Sequence, residues 1–486
     1  MEPESAVSLV FPGYKFGFDD PEEALRLAEM GVGGFCLYGG RVEEVAAFSA
    51  QLQARAPKPL LLNADYEDGV ATQCPGGTPL PANMGLGAAD SEDVAFEKGA
   101  ITAAESRAMG VPWILAPVCD LATAADNPIV NVRSFSSDPG RVARMARAYL
   151  KGLKSEGAFG CVKHFPGHGE TLADSHLQLP TVRVDKETLR RRELAPFAAL
   201  AGEADSLMTG HLGVPALTGD ERPYSISSDV ARTLRADLGF KGLVSTDALS
   251  MQAIASNFDE LEASRDALLG GSDVLLVPKD ARSLVRSLPG AVEEDPALAK
   301  AVAAALERLE KARAMVAAAA PPKAFEIVGG AKHAERAQAL ADACLAWWPT
   351  ARGPLPKSVA YWELEASGPD EWLGGAFVEA LRSAGREISA WREGHPADCL
   401  VIGCFLNPRA YTGRIKYDAE EQARLESALK ALGGKTVLVS FGSPFIFRTP
   451  GAAGLCAFSK NEPAQRAAAG ALTARIAVKG RMPVSL

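Results

Sequence analysis

From Ser8 onward, short apolar runs alternate with segments whose apolar residues recur at helical spacing. The runs lie at 8–12, 34–38, 60–64, 113–118, 160–162, 206–209, 242–245 and 273–277. Amphipathic stretches follow them at 21–30, 42–55, 91–109, 138–156, 186–200, 229–238 and 261–269. Continuous apolar runs of three to six residues suit strands buried on both faces, and the intervening period suits helices. Strand then helix, repeated eight times, predicts a parallel sheet closed into a (β/α)8 barrel. An open doubly wound sheet would alternate in the same way. The barrel is preferred because polar residues follow nearly every run, and barrels carry their chemistry at the carboxyl ends of their strands.

Beyond the eighth run, 296–315 reads as a long helical tail with Asp295 as its cap and Pro296 at its first position. Pro321 and Pro322 then stop any helix, and a hinge is expected there. The pattern resumes with strands at 358–362, 399–405, 436–441 and 455–458 and helices at 370–383, 419–432 and 463–477. The expected organisation is a catalytic barrel with its tail over 1–316, a linker over 317–330 and a C-terminal three-layer α/β/α sandwich domain over 331–486. No phosphate-cradling glycine pattern stands out in the second half. Gly433 and Gly434 precede a strand and suit a helix C-cap, and 411–416 reads as a solvated loop.

Composition narrows the class. At 486 residues the chain exceeds one ordinary core, so two domains are expected in any case. Hydrophobic residues make up 47% and charged residues 23%, the balance of a folded chain rather than a disordered one. A net charge of −9 gives no support to nucleic acid or an anionic membrane as partner. No window reaches the roughly 18 uninterrupted apolar residues of a membrane span; the Ala-rich stretch 302–320 is broken by Glu307, Arg308, Glu310, Lys311 and Arg313. The eight cysteines show no paired spacing, and the first residues are acidic without a basic-then-apolar leader. A cytoplasmic enzyme acting on a small molecule, monomeric or homodimeric, is the expectation.

The candidate chemistry concentrates in 162–176, Val-Lys-His-Phe-Pro-Gly-His-Gly-Glu-Thr-Leu-Ala-Asp-Ser-His. Lys163 and His164 sit where the fifth strand would emerge. Pro166, Gly167 and Gly169 then break regular structure. Asp174 and His176 are two apart, close enough for a carboxylate to fix the tautomer of an imidazole and raise its pKa. Polar groups also end other runs: Asp65 with Tyr66, Glu67 and Asp68; Asp120, for which a helix cap is an equal alternative; His211; and Asp247. A carboxylate nucleophile at Asp247 and an acid/base at His176 are the minimum set for glycoside hydrolysis with retention. Two other classes stay open. His164, His168, Asp174 and His176 are types that ligate zinc, although one irregular loop with Lys163 inside it suits a cation poorly. A non-catalytic sugar-binding protein would not need nucleophile and dyad together.

These residues carry a resemblance. Lys163 to Gly169 followed by Asp174-Ser175-His176, with Gly239-Phe240 and Asp247 downstream, resembles the β-N-acetylglucosaminidases of glycoside hydrolase family 3. Supporting stretches are Ala116-Pro-Val-Cys-Asp-Leu, Asn131-Val-Arg-Ser-Phe-Ser-Ser-Asp-Pro, Glu193-Leu-Ala-Pro-Phe, Met208-Thr-Gly-His211 and Gly480-Arg-Met-Pro-Val. The resemblance implies a nucleophile at Asp247, an acid/base at His176 oriented by Asp174, and sugar-holding roles for Lys163, His164, Arg133 and Asp65. His211 joins them as a substrate-binding candidate. It implies neither metal nor cofactor. The implied activity is exo-acting removal of terminal β-linked N-acetylglucosamine from muropeptides or chitooligosaccharides. The alternatives are phosphorolysis, with inorganic phosphate in place of water, and a β-glucosidase or β-xylosidase type of hydrolysis. One departure is plain: after Asp65 the family typically shows Glu-Gly-Gly-Arg, whereas here the chain reads Tyr66-Glu67-Asp68-Gly69-Val70, with no arginine.

Overall fold

A computed structural model describes residues 2–171, 179–365, 372–406 and 415–486. Every one of the eight apolar runs contains a strand. They are β1 (Val10–Phe11 and Gly13–Lys15, interrupted at Pro12), β2 (Cys36–Tyr38), β3 (Asn63–Ala64), β4 (Trp113–Ile114), β5 (Phe159–Phe165), β6 (Ser206–Thr209), β7 (Leu243–Thr246) and β8 (Leu275–Leu276). Each pairs in parallel with the next from β1 to β7. A bridge between Ser245 and Val274 and the pairing of Val10 with Leu275 bring β8 between β7 and β1 and close the ring. The fold is a (β/α)8 barrel.

Its interior is filled by side chains. The Trp113 ring stacks on Phe159 at 5.4 Å and meets Phe11 edge-on at 5.7 Å. Its indole N–H donates to Ser206 Oγ, which in turn donates to the Gly160 carbonyl, so the buried polar atoms of β4, β5 and β6 satisfy one another. Register then decides what leaves the top of the barrel. Thr209 lies opposite Thr246, and the Asp247 amide donates to the Thr209 carbonyl, so the chains after β6 and β7 emerge side by side.

Outside the barrel the helices depart from expectation in three places. The stretch 186–200 forms two helices, Lys186–Arg191 and Ala195–Leu200, because Pro196 lacks the amide a continuous helix would need and suits the start of a second one. The stretch 229–238 is a short turn, Asp229–Ala231, followed by a π-helical segment, Arg232–Asp237. A helix at Ala281–Glu294, concealed in the sequence by its internal Pro289, precedes the tail Pro296–Ala318. Asp295 caps that tail as expected, accepting from the amides of Ala297 and Leu298.

The second half forms a six-stranded sheet. Its strands are β9 (Ala346–Trp348), β10 (Ser358–Leu364), β11 (Glu387–Ala390), β12 (Leu400–Cys404), β13 (Thr436–Ser440) and β14 (Gly454–Cys456). The order is β9-β14-β13-β12-β10-β11, all parallel except β9, with helices such as Gly375–Ser383 and Glu462–Leu472 packed on it. Gly433 takes φ 50° and its amide caps Leu429, so it ends the helix Ala419–Leu432 and cradles nothing. Among the described residues no helix is long and apolar enough to cross a membrane.

The halves share a core. Ala82, Met84, Ala88, Ala122 and Val132 of the first pack with Trp362, Leu364, Ile402 and Phe458 of the second. Ser459 Oγ accepts from the Ala82 amide, Asn461 Nδ2 donates to the Leu80 carbonyl, and Ser136 Oγ donates to the Pro483 carbonyl.

Candidate active site

A cavity of about 710 Å³ opens at the carboxyl ends of the strands. Asp65, Arg133, Lys163, His164 and Asp247, all expected there, line it. They come from four separate places in the chain. Asp65 follows β3, Lys163 and His164 end β5, Asp247 follows β7, and Arg133 ends a single turn (Asn131–Arg133) in the long segment after β4.

The floor is a network of paired charges. Lys163 Nζ lies 2.7 Å from Asp65 Oδ1 and 2.6 Å from Glu67 Oε1. Arg133 grips the same Glu67 with two bonds, Nε to Oε2 at 2.9 Å and Nη2 to Oε1 at 2.8 Å, the fork-on-fork geometry that fixes both partners. Burial raises the Glu67 carboxyl, but Arg133 and Lys163 together outweigh it and hold the group well below the usual carboxylate range. Burial alone would lower Lys163; Asp65 and Glu67 instead raise it above its ordinary value. Glu67 and Lys163 are therefore held in their charged forms and can accept and donate hydrogen bonds to hydroxyls.

Two further strand-end carboxylates support this floor. Glu67 is one. Asp120 is the other, and it is no helix cap among the described residues. It accepts from His164 Nδ1 at 2.6 Å, from the His164 amide and from the His168 amide at 2.7 Å. Burial raises Asp120, and the charge of His164 with its hydrogen bond more than reverses the effect. His164 thus donates through Nδ1 and is oriented by a buried acid in the way a metal-ligating or catalytic histidine commonly is.

A deeper support lies under β3. Lys98, fully buried on the helix Glu92–Ala108, donates to Asp68 Oδ1 and to Asn83 Oδ1, and Asn83 Nδ2 donates to the Arg133 carbonyl. One ammonium so ties the loop of Asp65 and Glu67 to the segment that carries Arg133. Val70, in the stretch where the family typically has Glu-Gly-Gly-Arg, is buried and brings no charge to the mouth.

Asp247 is partly exposed, and its Oδ1 accepts from the Ala248 amide at 2.8 Å, which fixes the carboxylate against the chain. His211 corrects expectation. It is fully buried and does not line the cavity, because the chain turns after Gly210 and directs the ring inward. Its Nδ1 meets Ser225 Oγ at 2.6 Å and its Nε2 the Ala248 carbonyl at 2.9 Å, so it braces the residue next to Asp247.

Asp174 and His176 fall in 172–178, outside the described residues. The chain on both sides of them is pinned. His168 is held through its amide by Asp120, while the Thr171 hydroxyl meets His168 Nδ1 and donates to the His168 carbonyl. On the far side Thr181 bridges Gly213, just after β6. Burial, reinforced by His164 against the pull of Asp120, takes the His168 imidazole down to about 4, so it is neutral near pH 7. Among the described residues no three His, Cys, Asp or Glu side chains gather as a metal site.

The model of the glycosyl hydrolase family 3 N-terminal domain matches residues 17–312. The chain belongs to glycosyl hydrolase family 3. This family 3 enzyme is 30% identical over 284 residues to the beta-hexosaminidase A of Pseudoalteromonas piscicida, a match that covers 53% of the chain and 48% of that relative; the chain thus spans about half of its length. It is 36% identical over 242 residues to the beta-hexosaminidase of Xylella fastidiosa strain M12, covering 48% of the chain and 71% of the relative. Among solved structures, a family 3 beta-N-acetylglucosaminidase from Paenibacillus sp. str. FPU-7 superposes over the whole chain and 99% of its own, with a TM-score of 0.84 and 29% identity. A beta-glucoside phosphorylase superposes over the whole chain and 94% of its own at a TM-score of 0.89; at 23% identity that likeness speaks for the fold alone.

Proposed function

We propose that this family 3 enzyme is a retaining, exo-acting β-N-acetylhexosaminidase that removes terminal β-linked N-acetylglucosamine from small glycosides. The observation that carries the reading is Asp247 at the end of β7, lining the same cavity as the Asp65–Lys163–Glu67–Arg133 network. Such a floor suits the hydroxyls of one sugar ring, and a fixed carboxylate beside it suits attack on the anomeric carbon. The names of the similar proteins support the sugar assigned.

In this mechanism Asp247 attacks the anomeric carbon and the bond to the leaving oxygen breaks, while His176, held by Asp174, delivers its proton to that oxygen. His176 then takes a proton from water, whose hydroxide displaces Asp247 and frees the sugar with its β configuration restored. Asp65, Arg133, Lys163 and His164 hold the ring's hydroxyls through both steps. All eight cysteines are free and buried, which suits a reducing cytoplasm, where muropeptide or chitooligosaccharide fragments would be the substrates.

Product analysis on the β-1,4-linked N-acetylglucosamine disaccharide tests this. Release of β-configured N-acetylglucosamine is expected; an α-configured first product would overturn retention, and no cleavage would overturn the activity. Sugar 1-phosphate formed in phosphate buffer would replace hydrolysis by phosphorolysis.

A further inference from the structure

Phe18 is the most exposed large apolar side chain among the described residues, at 77%. It stands in the loop that leaves β1 at the same end of the barrel as Asp247. Isolated exposed apolar residues need no explanation in general, but this one is held in place. The amides of Phe18 and Asp19 both donate to the Lys15 carbonyl, and the Lys15 amide donates to Asp19 Oδ2 at 2.6 Å. Gly17 supplies the left-handed turn at φ 78°, while Phe16 on the other side packs down against Tyr14 and Phe48. Phe16 anchors the loop and Phe18 is presented by it. The second observation concerns Lys15. It lines the cavity, and its ammonium sits 4.2 Å from the centre of the Phe18 ring, so the ring adjoins a residue of the cavity wall.

We propose that Phe18 and Lys15 form the subsite for the leaving-group sugar. This rests on the reading of the enzyme as a β-N-acetylhexosaminidase. An exo-acting enzyme buries only the terminal ring in the floor network, so the next ring must lie at the mouth. A pyranose presents axial C–H groups on one face and hydroxyl or acyl oxygens at its edge. The apolar face would take the place of the Lys15 ammonium on Phe18, and the displaced ammonium would donate to an edge oxygen, the pairing of an aromatic wall with a placed polar group that is usual in small-molecule sites. The ligand class is a pyranoside leaving group, with no demand for a negative charge.

The test compares kcat/KM for the β-1,4-linked N-acetylglucosamine disaccharide with kcat/KM for β-N-acetylglucosaminyl azide, whose leaving group is too small to reach Phe18. Phe18→Ala should lower the disaccharide-to-azide ratio by about three- to tenfold, the range of one aromatic contact. Phe18→Trp should restore it, and Lys15→Met should lower it in the same direction. Since Phe18 is exposed, the alanine variant keeps its fold. A wild-type enzyme that cleaves both substrates, with a ratio unmoved by Phe18→Ala, would overturn the subsite. So would a change in sedimentation of Phe18→Ala at constant ratio, which would assign the ring to a contact between copies. A wild type that cleaves neither substrate would overturn the parent reading, and this one with it.

Discussion

The division of labour in the cavity follows from which carboxylates can change charge. Glu67 is committed to Arg133 and Lys163, and Asp120 to His164 and His168, so neither can shuttle protons through a catalytic cycle. On the proposed reading, attack falls to Asp247. Asp247→Ala should lower kcat on an aryl β-N-acetylglucosaminide on the order of 10⁴-fold or more, as for other residues that act as part of a catalytic unit, in a steady-state assay. His176→Ala should cost about 10²–10⁴-fold on the disaccharide and much less on the aryl glycoside, whose leaving group departs without a proton. Equal losses on both would remove His176 from the acid role. Glu67→Gln addresses the floor. Lys163 keeps Asp65 while the part-buried Arg133 loses its charged partner, and about 1–3 kcal/mol of unfolding free energy should be lost, read from the denaturant midpoint at unchanged slope.

At the scale of elements, the loop between β5 and the helix Lys186–Arg191 is supported by a pair of groups whose titrations oppose each other. Glu193 is fully buried against Gly167 and Gly169, and burial, only partly offset by Arg192, pushes its carboxyl up to about 7. The native state therefore holds a proton that the unfolded chain gives up near pH 4.5, and stability contributed by Glu193 is lost as pH rises from there through 7. His168 works the other way: its depressed value makes stability fall as pH drops from about 6.5 through 4. Replacing Glu193 by Gln isolates the first effect. The difference in unfolding free energy, Gln variant minus wild type, should rise by about 3 kcal/mol between pH 4.5 and 8; a flat difference would mean that Glu193 is ionised throughout. The residues of the site show what a sequence can and cannot reveal. Asp65, Lys163, His164 and Asp247 each follow an apolar run directly, so strand position alone marks them. Glu67 and Asp120 act through partners 66 and 44 residues away, and Lys98 through one 30 away. No local pattern encodes those pairs. His211 misleads for the converse reason, since it follows a strand as a site residue would but turns into the core. The strands of the barrel were legible because each is buried on both faces, whereas Pro289 concealed one whole helix, and the amphipathic period across 186–200 hid the break that Pro196 marks.

For the molecule as a whole, the arrangement of the halves bears on the site. The helix Asn83–Ala89 lies between them. Asn83 at its start holds the Arg133 carbonyl, while at its far end the Ala88 carbonyl accepts from the Arg481 amide near the C-terminus. Gly85 lies against Cys344 and Gly87 against the Phe135 carbonyl, so little space is left around this helix. A shared apolar core, hydrogen bonds accepted by Ser459 Oγ and the Pro483 carbonyl and one donated by Asn461 make the contact resemble a domain interior more than a loose interface, for which independent motion would be the default. The expectation is that both halves unfold together, as one calorimetric transition whose measured enthalpy equals the van't Hoff value. Gly480→Ala probes the coupling, because a Cβ there would stand 2.3 Å from the Leu345 carbonyl and 3.0 Å from that of Ala88. Overpacking of this kind costs about 1–3 kcal/mol. The single transition should move to lower temperature as a unit, and KM should rise through the displaced Arg133 segment. Two resolved transitions, only one of them shifted by Gly480→Ala, would show instead that the second half is held to the barrel without supporting its active site.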